Sequence, residues 1–336
     1  MDLSLFGWND YFASQCPNSW VGRIALASRE CFTIWTERGE IEARVSGKLR
    51  HNSTTWPYVG DWVVLRDDSV IVDVLPRRTE LVRKQPGKEV REQVLAANVD
   101  VLFIVTGLDA DYNPRRLERY LVLAHESRAR PVVLLNKADL CADPGTAIRE
   151  TRTVAPGVPV IAASALQGWG LEALPEFLQR GDTAALIGSS GAGKSTIVNR
   201  LLNHERQRTT SVRESDNRGR HTTTRRELIL MPEGWLLMDL PGLRELQLWA
   251  DPERIDQAFD DVAILAAQCR FRDCSHRHEP GCAVRASNLD EGRLENYYKL
   301  QRELGYLNRQ ADPHLARETR KRWNAIEKAM RRHPKR

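Results

Sequence analysis

The run Gly188-Ser189-Ser190-Gly191-Ala192-Gly193-Lys194-Ser195 has the G-x-x-x-x-G-K-S spacing of a loop that grips phosphates. Its glycines let backbone N–H groups approach phosphate oxygens closely. Lys194 would neutralise β- and γ-phosphate oxygens, and the Ser195 hydroxyl would bind Mg²⁺. Thr196 begins the helix expected to follow. A second constellation, Asn136-Lys137-Ala138-Asp139, starts 52 residues upstream of that loop. The Asp139 carboxylate can accept hydrogen bonds from guanine N1–H and N2–H₂. Adenine lacks both donors, so it would leave a buried carboxylate unpaired. Asn136 can meet the other edge of the base, and Lys137 can pack over the ring. Ser164-Ala165-Leu166 matches a loop that backs guanine through main-chain donors.

Two further segments complete a nucleotide-hydrolysing set. In Asp239-Leu240-Pro241-Gly242, Asp239 would hold Mg²⁺ through water and the Gly242 N–H would sense the γ-phosphate. In Gly219-Arg220-His221-Thr222-Thr223-Thr224, one threonine must reach Mg²⁺; Thr223 is the expected ligand, with Thr222 and Thr224 left open. Leu243 stands where a water-orienting glutamine is common, and an apolar side chain cannot orient water. His221 is the nearest candidate for that task; the alternative is a histidine that only packs or contacts a partner.

Cys269-x4-Cys274-x-His276-x5-Cys282 supplies three thiolates and an imidazole within 14 residues. That is a full tetrahedral set for a structural Zn²⁺, with His278 able to replace His276. Arg272, Asp273, Ser275, Arg277 and Glu279 between the ligands are too polar for a core segment, which disfavours plain buried thiols. Cys16, Cys31 and Cys141 are scattered. Arg270, Arg272 and Arg277 border the loop and would suit contact with RNA.

The elements needed to position these groups are readable in outline. Short β-like runs at Val21–Leu26, Cys31–Trp35, Ile41–Val45, Val59–Leu65 and Val70–Leu75 predict a small closed barrel of the OB type. Trp20, Phe32, Trp35, Trp56, Tyr58 and Trp62 are mostly core in this reading, with a minority available to stack on bases. Arg77, Arg78, Arg83, Lys84, Lys88 and Arg91 form a basic linker. From Val99 the rhythm becomes βα. Apolar runs at Val101–Val105, Val132–Leu135, Val158–Ala162 and Thr183–Ile187 alternate with helices at Pro114–His125, Leu171–Gln179 and Thr196–Leu202. This predicts a doubly wound parallel sheet, with Glu227–Met231 and Trp235–Met238 as paired strands. Beyond Gly242 the chain reads as helical, at Arg254–Arg270, Arg293–Gln310 and Leu315–Arg332. Expected domains are an N-terminal helix or arm over 1–18, barrel and linker over 19–90, nucleotide domain over 91–250 and zinc-binding helical domain over 251–336.

Composition bounds the function. The 336 residues are 41% hydrophobic and 28% charged, as in a globular protein. No apolar run nears the roughly 20 residues that span a bilayer, and the first residues carry no secretory pattern. The expectation is a cytoplasmic monomer without membrane contact. Net charge is +5, yet residues 313–336 hold nine Lys/Arg against two Glu. The tail is thus the best local match to a polyanion.

Guanine motif, base-backing loop, phosphate loop, switch I and switch II occur in that order. An ordinary GTPase begins with the phosphate loop, so this order implies a circular permutation. It sends the chain from switch II straight into the C-terminal region, where nucleotide state could act. Together with the barrel and the Cys269–Cys282 cluster, these motifs resemble the ribosome small subunit-dependent GTPase A family over nearly the whole chain. The resemblance implies an OB barrel, a permuted GTPase domain and a zinc domain. It implies GTP hydrolysis to GDP stimulated by the small ribosomal subunit, in late subunit maturation with rRNA contact. It also implies His276 as the zinc ligand and His221 as the hydrolysis-relevant histidine. Two other readings compete: a nucleotide-gated RNA-binding scaffold with little catalysis, and a metal-delivery GTPase. A closed four-ligand site argues against delivery, which needs exchangeable ligands.

Overall fold

The computed structural model describes residues 1–28, 31–52, 55–84, 92–209, 226–240 and 252–311. Five strands, β1 (Val21–Ala27), β2 (Phe32–Thr36), β3 (Gly39–Val45), β4 (Trp62–Arg66) and β5 (Val70–Val74), form the N-terminal barrel. Its order is β1-β2-β3-β5-β4, closed by antiparallel pairing of β4 with β1 at Val21↔Val64. Alternation explains the inside: β2 buries Phe32, Ile34 and Thr36 while Thr33 and Trp35 are half-buried. A short helix, α1 (Asp10–Ala13), and a 3-10 turn at Leu3–Phe6 precede the barrel. They are docked on it. Phe6 and Phe12 are buried, and Trp8 meets Trp62 edge-on with centroids 4.7 Å apart. Burying each ring contributes about 2 kcal/mol. The first residues are therefore short helices seated on the core, with Asp2 and Asn9 as their N-caps.

After α2 (Gly47–Asn52) and the two-stranded sheet β6 (Glu80–Lys84) with β7 (Glu92–Ala97), the chain enters a larger sheet. Its strands are β8 (Val101–Gly107), β9 (Arg130–Asn136), β10 (Val160–Ala162), β11 (Thr183–Gly188), β12 (Glu227–Leu230) and β13 (Leu236–Asp239). The order is β10-β9-β8-β11-β13-β12, parallel throughout except for the β12–β13 hairpin. Every residue of β8 and β11 is buried, as central parallel strands require. Helices α3 (Pro114–Ser127), α4 (Pro144–Val154) and α5 (Lys194–Thr209) complete the α/β unit. Asn113 and Asp143 cap α3 and α4, each followed by proline in the first turn. The sequence reading contains no helix at α4, although Asp143-Pro144 is a start signal. β12 also pairs with β1 at Leu26↔Glu227, so barrel and parallel sheet form one eleven-stranded sheet.

Strand order shows why the motifs appear in a permuted sequence. β8 and β11 lie side by side in the middle, and later strands leave them in opposite directions. The crevice at their carboxyl ends is the topological switch point where ligands bind in such sheets. The phosphate loop follows β11, while the guanine motif follows β9 on the other side of β8.

Two compact units are present: residues 1–82 with 94–246, and residues 83–93 with 247–336. In the second, α6 (Pro252–Ala258), α7 (Asp260–Ala266), α8 (Ala283–Ala286) and α9 (Glu291–Ala311) surround a small core. The single helix expected over Arg254–Arg270 is two helices, the second of which ends at Ala266, four residues short of the expected end. Phe259 breaks it at φ −124° and ψ 48°. That turn buries the Phe259 ring 5.5 Å from Tyr297, with the Arg293 guanidinium 4.6 Å over it. Arg293, itself buried, bonds both Asp261 carboxylate oxygens at 2.7 and 2.8 Å. Among the described residues, no helix is long and apolar enough to cross a membrane.

Candidate nucleotide site and metal centre

β9 ends on Asn136, which is buried, and its amide ties two loops together. Nδ2 donates to the Ala192 carbonyl of the phosphate loop at 2.8 Å, and Oδ1 accepts from the Ala165 N–H at 3.0 Å. One N–H and one lone pair remain for a base. Ala138 N–H donates to the Ala163 carbonyl at 3.0 Å, which fastens the guanine motif to the base-backing loop. That loop is pinned in turn by the buried Ser164, whose hydroxyl accepts from Gln167 N–H and whose backbone bridges Trp169.

Asp139 follows in the short 3-10 turn Ala138–Leu140. Its Oδ1 is buried and has no hydrogen-bond partner among the described residues. A buried carboxylate oxygen left unpaired is costly, so its presence points to donors that arrive with a ligand. Guanine N1–H and N2–H₂ are donors of the right kind. Lys137, in the left-handed region at φ 60°, donates from Nζ to Asp109 at 2.5 Å.

The phosphate loop leaves β11 at Gly188, where φ is 149° and a Cβ would lie 2.0 Å from the Val105 carbonyl oxygen. At Gly193, φ is 96° and a Cβ would strike Asn136 Nδ2 at 2.2 Å. Glycine is required at both places by close backbone approach as well as by conformation. Lys194 Nζ reaches back over the loop to the Gly188 and Ser189 carbonyls at 2.8 and 2.7 Å. Burial lowers its affinity for a proton, and the nearby Asp111 carboxylate opposes that shift. Ser190, Gly191, Ser195 and Thr196 are exposed on the loop and first helical turn, open to a ligand. Asp239 is the last residue of β13, its backbone in register with Glu227. Switch I, with His221, Thr222, Thr223 and Thr224, lies outside the described residues, as do Gly242, Leu243 and the basic tail.

Two site residues escape the sequence reading. Asp109 and Asp111 sit on the loop after β8; Asp109 holds Lys137, and Asp111 accepts a short hydrogen bond from the Ser189 hydroxyl. Their signal was positional: an acidic loop at the carboxyl end of the first central strand. The basic linker is reduced as well. Arg77 bonds both oxygens of the buried Asp61 at 2.8 Å, and Arg78 pairs with Asp100. Lys88 and Arg91 lie outside the described residues. Of the barrel aromatics, Phe32 and Trp62 are core, whereas Trp56 is exposed.

In the other unit, Cys269, Cys274, His276 and Cys282 present ligand atoms all within 4.8 Å of one another. His276 Nδ1 lies 3.5 Å from both Cys269 Sγ and Cys282 Sγ, and those sulfurs are 3.9 Å apart. Tetrahedral zinc with bonds of about 2.0–2.3 Å places its ligands roughly 3.5–3.8 Å apart, so the residues fit the ion. His276, not His278, completes this group. The Cys269 thiol is held below its usual pKa: burial pushes it up, and the Val284 and Ala283 N–H groups together with the Cys282 and Cys274 thiols bring it down. Tyr298 donates its hydroxyl to the His276 carbonyl at 3.0 Å, and Arg277 lies 5.2 Å over the Tyr298 ring.

Residues 74–249 match the family model described as RsgA GTPase. The small ribosomal subunit biogenesis GTPase RsgA of Opitutus terrae is 48% identical, covering 98% of this chain and 97% of that protein. The Listeria monocytogenes protein of the same name, numbered 2, is 41% identical over 100% of this chain and 99% of its own. The crystal structure of YjeQ from Thermotoga maritima superposes with a TM-score of 0.65 at 28% identity, covering 85% of this chain and 98% of that one. YloQ, described as a circularly permuted GTPase, has the same fold at a TM-score of 0.62 and 22% identity, covering 88% and 97%.

Proposed function

The chain belongs to the RsgA GTPase family and is a GTPase of small-subunit ribosome biogenesis; we propose that the small ribosomal subunit stimulates its hydrolysis of GTP to GDP and phosphate. In this reading the protein acts late in subunit maturation as a monomer in the cytoplasm. Hydrolysis is coupled to contact with, or release from, rRNA. The observation that carries the guanine assignment is the buried, unpaired Oδ1 of Asp139, set beside a loop backbone already locked by Asn136.

The roles divide by segment. Asn136, Lys137, Asp139, Ser164 and Ala165 take the base. Gly188 to Thr196 take the phosphates, with Lys194 neutralising charge that grows on the β–γ bridge and γ-oxygens. Ser195, Thr223 and Asp239 would hold Mg²⁺, which supplies charge neutralisation at the phosphates. Gly242 would sense the γ-phosphate, and His221 would orient the attacking water in place of the glutamine absent at Leu243. Cys269, Cys274, His276 and Cys282 hold one structural Zn²⁺. The domain reading keeps the docked helices of 1–18, barrel and linker of 19–90, permuted GTPase of 91–250 and zinc domain of 251–336. RNA contact falls to the zinc loop arginines and the basic tail.

The test is GTP turnover with and without purified small subunits, with large subunits and ATP as controls. Stimulation by small subunits alone, lost on His221→Ala while GTP binding persists, is the expected result. Turnover unchanged by small subunits would overturn subunit-stimulated hydrolysis and favour the nucleotide-gated scaffold.

A further inference from the structure

The loop that follows β8 touches both halves of the nucleotide site. Leu108 N–H donates to the Asn136 carbonyl at 2.8 Å, which seats the loop against the guanine motif. Asp109 is shaped by its Oδ1, which accepts the Asp111 N–H at 3.1 Å. Its Oδ2 accepts Lys137 Nζ at 2.5 Å. Two residues on, Asp111 Oδ2 accepts the Ser189 hydroxyl of the phosphate loop. Arg116 anchors Asp111 from α3, by an ion pair at 2.8 Å and a bond to its carbonyl at 3.0 Å.

Resting on the guanine-site reading above, we propose that Asp109 is a positioning residue for the base: it fixes Lys137 Nζ so that the lysine stem is already ordered where the guanine ring binds. A lysine free in water carries large rotamer entropy, which is lost when its stem must lie along a ring. Asp109 removes that loss before the nucleotide arrives. The pair is about three-quarters shielded on each side, with side-chain exposures of 29% and 27%, so solvent screens it only in part. The hydrogen bond from Lys137 holds the Asp109 carboxyl below its usual range. Asp111 does the corresponding work at the phosphate end, through Ser189. One short loop thus orders a base-facing and a phosphate-facing residue by two separate carboxylates.

The separation makes the test specific. In the full chain, affinities for GDP and for inorganic tripolyphosphate are measured by competition, with GDP against ADP on the unaltered protein as reference. Asp109→Asn should weaken GDP by roughly three- to tenfold, the range for losing a partly exposed charge-assisted bond. It should leave tripolyphosphate unchanged, because that ligand has no base. In a Lys137→Ala background the same substitution should add nothing further, and Asp109→Glu should recover most of the GDP affinity. Unchanged GDP affinity, equal weakening of both ligands, or multiplying effects of Asp109→Asn and Lys137→Ala would each overturn the proposal. If the unaltered protein bound ADP as well as GDP, the guanine reading itself would fall, and this inference with it.

Discussion

The guanine end of the nucleotide site and the zinc loop are both built from short loops, yet they are held in opposite ways. The guanine loops hang from strands whose ends are buried: Val105, Leu134, Leu135 and Ala163 are 0% exposed. Main-chain bonds from Ala138, Ala163 and Ala165 lock them before any ligand binds. Between Arg270 and Gly281, by contrast, no residue is buried. That stretch carries two of the ligand side chains, Cys274 and His276, is flanked by the other two, Cys269 and Cys282, and has almost no core of its own. A site preorganised by a sheet can lose its ligand and keep its shape; a loop with little apolar support depends on the ion for its shape.

Removing the metal is the strongest challenge to that contrast. Structural zinc contributes about 10–16 kcal/mol in small domains where folding and binding are linked. Chelation, or Cys282→Ser, should open residues 267–290 to hydrogen exchange and proteolysis. GDP affinity should change by less than about twofold, within the scatter of independent sites. Retained protection across 267–290 after metal loss would show that the loop is held by something else. One zinc per chain by elemental analysis is the companion expectation.

At the other end, the expected change is in selectivity and not in folding. Asp139→Asn exchanges the acceptor facing guanine N2–H₂ for a donor, while its amide oxygen and NH₂ match the N1–H and C2 carbonyl of xanthine. The ratio of GTP to xanthosine triphosphate affinity should fall by about 100-fold or more. The melting temperature should not fall, because the substitution also removes a buried unpaired charge oxygen. A lower melting temperature with unaltered selectivity would reverse the roles assigned to the two regions.

The contrast also explains what could be read from sequence. The barrel strands, the β8–β9–β11 core and the phosphate loop were legible because burial imposes period and residue type: Val, Ile and Leu runs flanked by glycine. The three cysteines of the metal-compatible cluster were legible because metal chemistry restricts spacing, while spacing left His276 and His278 as alternatives that the family resemblance decided for His276. What was missed depends on pairings distant in sequence. Nothing local marks Asp109 as the partner of Lys137, 28 positions away. The break at Phe259 depends on Arg293 and Tyr297 across a small core, whereas the local pattern reads as one continuous helix. The first residues read as either a short helix or an arm because Phe6, Trp8 and Phe12 follow no regular period; they fit against Trp35 and Trp62.

The smallest expected effect tests how the zinc loop is shaped between its ligands. Glu279 accepts from Ser275 N–H and Oγ at 3.0 and 2.5 Å, and from the N–H groups of Arg277 and His278 at 3.1 Å each. Four donors on one carboxylate fold the chain back around His276, which lies in the left-handed region at φ 58°. Glutamine keeps the size but replaces one acceptor oxygen with an NH₂ that faces N–H donors. Glu279→Gln should therefore weaken zinc roughly tenfold, the lower range for partners that orient ligands without touching the ion. Zinc competition with a chromogenic chelator reads this directly. A tenfold loss would place part of the loop's order in its own hydrogen bonds, narrowing its difference from the guanine end. Unchanged zinc affinity would leave the four ligands as the whole support, and the contrast at its widest.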